Sequence, residues 1–170
     1  MTETIAIRIA VPADLSSMHA LIERAYRGDS ARQGWTHEAD LFSGERIDRE
    51  ALEAMFADPG HIFLIAEQGD AAVGSVSLTA HGNGLVYLGL LCVDPMRQAD
   101  GLGKAIIAAA ETVAREQLDA ERIELTVVDS RVELVAYYER RGFARTGEQR
   151  PFPVLLDPPV TMVVLEKALA

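Results

Sequence analysis

An apolar run, a polar turn and a glycine-spaced helix start follow one another between residues 85 and 104. Residues 85–93 form the apolar run, which predicts a buried strand, and the periodicity of residues 102–114 predicts an amphipathic helix. The first turn of a helix has backbone N–H groups without intrahelical partners, and the helix dipole adds partial positive charge there. Glycine lets a ligand approach the backbone closely. Gly101 and Gly103 therefore predict a phosphate or pyrophosphate site at this helix start.

Two other kinds of phosphate loop are excluded by the same residues. A P-loop needs glycine five positions before its Gly-Lys pair and serine or threonine after it, but this chain has Gln98 and Ala105 there. A dinucleotide-binding loop needs a third glycine where this chain has Ile106. A plain strand-to-helix turn that happens to contain two glycines stays open as the structural alternative.

Two segments carry a resemblance to a known family. The spacing Gln98-x-x-Gly101-x-Gly103 resembles the acyl-CoA pyrophosphate loop of the GNAT superfamily of N-acyltransferases. The later pattern Tyr-x-x-x-Gly-Phe, which begins at Tyr138, resembles a second motif of these enzymes. The resemblance implies that Tyr138 protonates the departing CoA thiolate, and a phenol of pKa about 10 can supply a proton to a thiolate of pKa about 8.5. The alternative is that Tyr138 is a packing residue with a polar tip.

The order of predicted elements is strand, two helices, three strands, helix, strand, helix and two strands. With 170 residues and no evident linker, the chain is predicted to form a single domain over residues 1–170. We expect an α+β fold with a central mixed, mostly antiparallel sheet of about seven strands and helices on both faces. This order resembles the GNAT fold over nearly the whole chain.

The resemblance also implies where acyl-CoA binds. In the GNAT fold the fourth and fifth strands, here 85–93 and 122–128, separate and the cofactor enters between them. The implied cofactor-binding residues are Leu91, Cys92 and Val93 through their backbone, then Arg97, Gln98, Ala99, Asp100, Gly101, Leu102, Gly103 and Lys104 around the pyrophosphate. Arg131 occupies the position where the family often has asparagine, and it either reaches a CoA phosphate or caps the helix together with Ser130.

The acceptor side of the site is less defined by the sequence. Many relatives carry a glutamate on the fourth strand, but residues 85–93 contain no carboxylate, so no general base is evident. Tyr87 or His81 could act through water. The fold resemblance places the acceptor near the connection between the first two helices and near the last hairpin. The predicted acceptor residues are Trp35, His37, Glu38 and Tyr87, with Arg150 and Phe152 on the opposite side. The alternative is a surface loop held in place by Trp35.

Composition excludes several classes of function. The chain has 16 Lys and Arg against 26 Asp and Glu, a formal charge of −10, which argues against nonspecific nucleic-acid binding. No apolar stretch reaches the length of a membrane span, and the N-terminus does not resemble a signal peptide. Cys92 is the single cysteine and the four histidines are dispersed, so we expect no disulfide, no metal site and a cytoplasmic location.

The sequence therefore predicts an acetyl-CoA-dependent N-acetyltransferase that acts on the primary amine of a small molecule by direct attack. One alternative is a non-catalytic acyl-CoA-binding sensor of the same fold. Another is an enzyme that acetylates protein N-termini or lysines. GNAT proteins often form dimers, so a homodimer is compatible with the resemblance.

Overall fold

A computed structural model describes residues 4–26, 49–95, 101–151 and 159–169. The strands of this part of the chain are β1 (Ile5–Ile9), β2 (His61–Gln68), β3 (Ala71–Gly82), β4 (Leu85–Val93), β5 (Arg122–Val128), β6 (Ala144–Pro151) and β7 (Thr161–Ala168). Its helices are α1 (Leu15–Tyr26), α2 (Arg49–Ala57), α3 (Leu102–Leu118) and α4 (Val132–Arg140), and a 3-10 turn at Pro12–Asp14 precedes α1. The predicted element order is confirmed.

The hairpin between β3 and β4 has a shorter turn than its sequence predicts. The polar and glycine residues at 81–84 predict a four-residue turn, but β3 continues through Gly82 and the turn consists of Asn83 and Gly84. These two residues have φ values of 55° and 76°. Positive φ at both central positions is typical of a two-residue hairpin turn, for which Asn-Gly is the preferred sequence.

All seven strands form one sheet in the order β1-β2-β3-β4-β5-β7-β6. Neighbouring strands are antiparallel except β4 and β5, which run parallel. The expected mixed, mostly antiparallel sheet of seven strands is confirmed. The parallel pair of β4 and β5 lies in the middle of the sheet and separates strands β1–β4 on one side from β5–β7 on the other.

The two faces of the sheet have separate cores. The larger core contains Ile106 and Ala110 of α3, Val135 of α4, and the inward residues of β5, Ile123, Leu125 and Val127. The smaller core packs α1 and α2 against β2 and β4 and includes Met18, Ile22, Leu52, Phe63 and Cys92. Because helices cover both faces, each strand of the centre is buried on both sides, as its apolar composition predicts.

A half-buried lysine connects the two helices of the larger core to the last strand. The Lys167 ammonium of β7 donates to Glu111 Oε2 of α3 at 3.0 Å and to the carbonyl oxygen of Arg141 at 2.9 Å. Arg141 lies at the end of α4, where Gly142 has a φ of 101° and terminates the helix. These contacts hold the middle of α3 and the end of α4 to the same strand.

Candidate active site

The sheet opens between β4 and β5. The two strands pair only over three positions, with Leu85, Val86 and Tyr87 opposite Arg122, Ile123 and Glu124. Beyond these positions β4 continues to Val93 and β5 to Val128 without pairing to each other. We call this opening the split. Peptide groups that face a split in a sheet can be satisfied by the amides of a ligand, as they would be by another strand.

A β-bulge shapes the β4 side of the split. Gly89 pairs with Ser77 and Cys92 with Ser75, so two residues of β4, Leu90 and Leu91, lie opposite one residue of β3. Leu90 has a φ of 50°, which is uncommon for a residue other than glycine. The bulge changes which side chains face each core: Leu91 and Val93 join the larger core, whereas Cys92 joins the smaller one. Backbone at 91–93 lies along the split, as the resemblance implies.

The start of α3 has the features of an anion site. Gly101 is its N-cap, with a φ of 73°, and no side chain caps the helix among the described residues. A Cβ on Gly101 would meet nothing within 4 Å, so glycine is needed there for its backbone conformation and not for space. Leu102 and Gly103 are buried and Lys104 is exposed. The first-turn N–H groups of α3 and the charge of Lys104 thus lie at one helix end.

Tyr137 is a site residue that the sequence analysis did not single out. A Cβ on Gly103 would lie 2.8 Å from the Tyr137 hydroxyl oxygen, so this phenol occupies the space that glycine leaves at the start of α3. The Arg141 guanidinium lies over the Tyr137 ring, 5.1 Å from its centroid. In the sequence, Tyr137 is distinguished only by its position next to Tyr138, and of these two tyrosines only Tyr138 begins the family pattern.

Tyr138 lies in the larger core, where its side chain meets Phe143 edge-on with ring centroids 5.9 Å apart. Burial raises the pKa of the Tyr138 phenol well above its usual range, Tyr137 and Tyr87 add to the increase, and Arg131 opposes it. The hydroxyl therefore stays protonated at neutral pH. It can donate a proton, which is the state that a general acid requires.

Arg131 is the N-cap residue of α4, although its side chain does not cap the helix. Its carbonyl oxygen accepts hydrogen bonds from the N–H groups of Leu134 and Val135, both at 3.0 Å. Its guanidinium donates to Glu133 at 2.9 Å, and this bond lowers the pKa of the Glu133 carboxyl. The structure thus assigns the cap to the backbone of Arg131 and leaves its half-buried guanidinium beside the exposed Glu133.

The face of the sheet opposite α4 carries polar side chains beside the split. Tyr87 of β4 and Thr126 of β5 share a hydrogen bond of 2.8 Å between their hydroxyl groups. A Cβ on Gly89 would lie 2.9 Å from the Tyr87 ring, so the absence of a side chain there lets the ring lie along β4. His81 of β3 meets the same ring edge-on at 6.0 Å. Tyr87 thus joins the two strands just beyond their last paired position.

A buried carboxylate on this polar face was missed by the sequence analysis. Glu124 of β5 has a side chain only 7% exposed, and both of its oxygens accept hydrogen bonds from the Arg150 guanidinium, at 3.1 and 3.2 Å. Arg150 also donates to Glu148 at 2.7 Å. The signal was available in the sequence, because the alternation of Ile123, Leu125 and Val127 predicts that they share one face of a strand, which leaves Glu124 on the other.

Several predicted residues lie outside the described ranges. They are Trp35, His37 and Glu38 of the predicted acceptor loop, Phe152, and Arg97, Gln98, Ala99 and Asp100 of the predicted pyrophosphate loop. Among the residues that the structure does describe, no group of three or more His, Cys, Asp or Glu side chains could hold a metal ion. Within the same ranges, none of the helices combines the length and the apolar character that crossing a bilayer requires.

Comparison with known protein families gives a match over most of the chain. The profile of the acetyltransferase (GNAT) domain matches residues 26–156. Among curated proteins, the mycothiol acetyltransferases of Salinispora tropica and Salinispora arenicola are 47% and 45% identical to this chain over 62 residues. That segment is 36% of this chain, and the match spans only 20% of the length of either relative.

Solved structures share the fold at low sequence identity. A GNAT-family acetyltransferase from Desulfovibrio desulfuricans is 20% identical, with a TM-score of 0.74 over 98% of this chain and 100% of its own. The ribosomal-protein-S18-alanine N-acetyltransferase of Escherichia coli is 15% identical, with a TM-score of 0.76 over 98% of this chain and 95% of its own. A Salmonella typhimurium protein solved with its cofactor acetyl-CoA is 18% identical, with a TM-score of 0.73 over 98% and 94%.

Proposed function

We propose that this chain, which belongs to the GNAT family of acetyltransferases, transfers the acetyl group of acetyl-CoA to a primary amine of a small molecule. The observation that carries the proposal is the split: β4 and β5 part after Tyr87 and Glu124, next to a helix whose N-terminus has no side-chain cap from any residue that the structure describes. This arrangement suits a ligand that has both amide groups and a pyrophosphate.

Acetyl-CoA supplies an acetyl group activated as a thioester, and the residues present fit its binding. The N–H groups at the start of α3 and the Lys104 ammonium would hold the pyrophosphate, because both carry positive charge at an exposed helix end. Tyr137 fills the space beside Gly103, so a side chain at this position would displace the phenol at the start of α3. The backbone of Leu91, Cys92 and Val93 would hold the pantetheine amides.

The remaining cofactor residues of the proposal follow from the family resemblance. Arg97, Gln98, Ala99 and Asp100 precede Gly101 in the same loop and complete the pyrophosphate site, and Arg131 contributes positive charge at the start of α4. Tyr138 is the general acid of the proposal. The hydroxyl is protonated at neutral pH, as this role requires, and the raised pKa makes it a weaker acid than a free phenol.

The acceptor would enter from the polar face of the sheet, opposite α4. Tyr87 lies on that face beside the split, and the loop with Trp35, His37 and Glu38 supplies the remaining acceptor contacts of the proposal. An aromatic side chain and a carboxylate are suited to an organic ammonium group.

Calorimetric titration of acetyl-CoA into the wild type tests the cofactor. The variant Lys104→Glu reverses a charge at the start of α3, and Arg115→Glu reverses one near the end of the same helix. We expect binding that Lys104→Glu weakens by about tenfold and that Arg115→Glu leaves intact, since the dipole and charge effects act within one helical turn. Absence of binding by the wild type would contradict the proposal.

A panel of small amines, peptides and whole-protein acceptors then tests the acceptor. Thiol release from acetyl-CoA with small amines supports the proposal. Release only with peptides or proteins would instead indicate a protein acetyltransferase, and binding without release would indicate an acyl-CoA sensor.

A further inference from the structure

We propose that Glu124 is the acceptor-binding residue of this site and that it selects acceptors with a positively charged amine. The inference rests on the proposed function, because it assumes that an amine enters the split. Glu124 is a carboxylate on the fifth strand, whereas the family resemblance implies one on the fourth strand, where this chain has none.

Strand register places Glu124 on the acceptor face. Phe63 of the smaller core pairs with Ser77, and Ser77 pairs with Gly89, so these three positions share the face that α1 and α2 cover. Tyr87 lies two residues before Gly89 and therefore has the same orientation. Glu124 pairs directly with Tyr87, which puts both side chains on this face.

The same register places Glu124 at the edge of the split. Tyr87 and Glu124 form the last pair of the parallel ladder, and the strands separate after them. Tyr138 approaches from the other face, as a member of the core that α3 and α4 build. Glu124 and the proposed general acid thus lie on opposite faces of the sheet. An ammonium group held by Glu124 has no lone pair, so it must release a proton to solvent before its nitrogen attacks the thioester, and Tyr138 then donates a proton to the departing thiolate.

The partners of Glu124 leave it able to accept further hydrogen bonds. Arg150 donates one hydrogen bond to each oxygen of the carboxylate. An ionised carboxylate offers about four lone-pair sites, so two remain for an ammonium group. Arg150 is a positioning residue in this arrangement, because its planar fork fixes the plane of the carboxylate. Thr126 lies two residues further along the same face and supplies a hydroxyl beside it.

The local charge favours a cation. Glu124 and Glu148 share the single guanidinium of Arg150, so two carboxylates and one cation give this group a net charge of −1. Burial strengthens the attraction between Glu124 and an ammonium group, since the effective dielectric constant falls away from bulk water. A neutral or anionic acceptor would not gain this attraction.

The probes of the test are benzylamine, which is cationic at pH 7, and benzyl alcohol, its neutral counterpart of the same shape. Binding is followed by the backbone amide NMR shifts of residues 85–93 and 122–128 at saturating CoA, which carries no acetyl group to transfer to the amine. The variant Glu124→Gln removes the buried charge, and Glu148→Gln removes an equal charge from the exposed partner of the same arginine. The matched pair separates a specific contact from the general attraction of an acidic protein for cations.

We expect the wild type to prefer benzylamine by about tenfold, the effect of a hydrogen bond to a charged group. Glu148→Gln should keep a smaller preference, because Glu124 and Arg150 alone form a neutral pair, and Glu124→Gln should lose the preference. Equal affinity for the two probes in the wild type, or a preference retained in Glu124→Gln, would overturn the inference. If Glu124→Gln does not fold, Glu124→Asp takes its place and is expected to weaken the binding of benzylamine but not that of benzyl alcohol. Acetyl-CoA titration of the same samples tests the proposed function separately, because Glu124 lies on the face away from α3.

Discussion

The hydroxyl groups of Tyr87 and Thr126 form a 2.8 Å hydrogen bond that joins β4 to β5 where their backbone pairing ends. We expect Tyr87→Phe and Thr126→Val each to lower the free energy of unfolding by about 1 kcal/mol, because each leaves the other hydroxyl without this partner. Urea denaturation of both variants and of the double variant measures the coupling. The double variant should lose less than the sum of the two single losses, and strict additivity would contradict the contact.

Gly103→Ala should destabilise the protein, because the added Cβ would lie 2.8 Å from the Tyr137 hydroxyl oxygen. We expect a loss of about 1 to 3 kcal/mol, as is usual when a tightly packed position gains a methyl group. Removal of that hydroxyl provides the matched control. In a Tyr137→Phe background the nearest remaining ring atom is 3.8 Å from the new Cβ, so most of the loss should disappear. An equal loss in both backgrounds would place the strain elsewhere.

Tyr138→Phe should lower kcat with an active amine acceptor by about 100-fold or more while leaving the acetyl-CoA dissociation constant unchanged. Because burial raises the pKa of the phenol, wild-type kcat should show no alkaline decline from this group below pH about 10. Tyr137→Phe is the contrasting variant. Its hydroxyl faces Gly103, so we expect a higher KM for acetyl-CoA and a kcat close to that of the wild type. The reverse pattern would assign the acid to Tyr137.

The buried thiol of Cys92 should make stability fall at alkaline pH. Burial raises its pKa from 9.0 to about 11, so the folded protein retains a proton that the unfolded chain releases. The resulting stability is complete below pH 9 and is lost as the pH rises to about 11, at about 1.4 kcal/mol per pH unit. Urea unfolding of the wild type and Cys92→Ala between pH 8 and about 10.5 measures the slope. If the free energy of unfolding depended on pH equally in the two proteins, the Cys92 thiol would not contribute to the alkaline loss of stability.

Arg150→Gln should destabilise the protein more than Glu148→Gln does. The first change leaves the Glu124 carboxylate buried without its counter-ion, whereas the second removes a partner that is 55% exposed. We expect a loss of about 1 to 3 kcal/mol for Arg150→Gln, less than for a fully buried pair because water screens a guanidinium that is 33% exposed. Thermal melts provide the comparison. Addition of Glu124→Gln to Arg150→Gln should recover part of the loss, and no recovery would argue against an unpaired charge as its cause.

The fold was largely accessible from the sequence because its signals are local. The apolar runs that became β4 and β5, the stripe that became α3, and Gly142 at the end of α4 each depend on neighbours within a few positions. The turn is two residues shorter than the predicted span 81–84. His81 continues β3 as a bulged residue between the paired Ala80 and Gly82, and propensity alone does not contain that information.

The site was accessible only in part, because its polar half is built by contacts distant in sequence. Gly101, Gly103 and Tyr138 belong to compact motifs, so local patterns are enough to propose them as site residues. Glu124 was not, since its meaning depends on Arg150, 26 positions later, and on a strand pairing that no local pattern encodes. The bulge at Leu90 also escaped prediction, because the extra residue is defined only against β3.

The short β4–β5 junction has a mechanical consequence. Strands β1–β4 and β5–β7 form two groups of hydrogen-bonded strands that meet over only three residue pairs, so we expect the sheet to bend most easily at this junction. The Lys167–Glu111 contact connects the two groups away from the junction. A molecule bound in the split would contact both groups and oppose bending, so its binding would make the whole sheet more rigid.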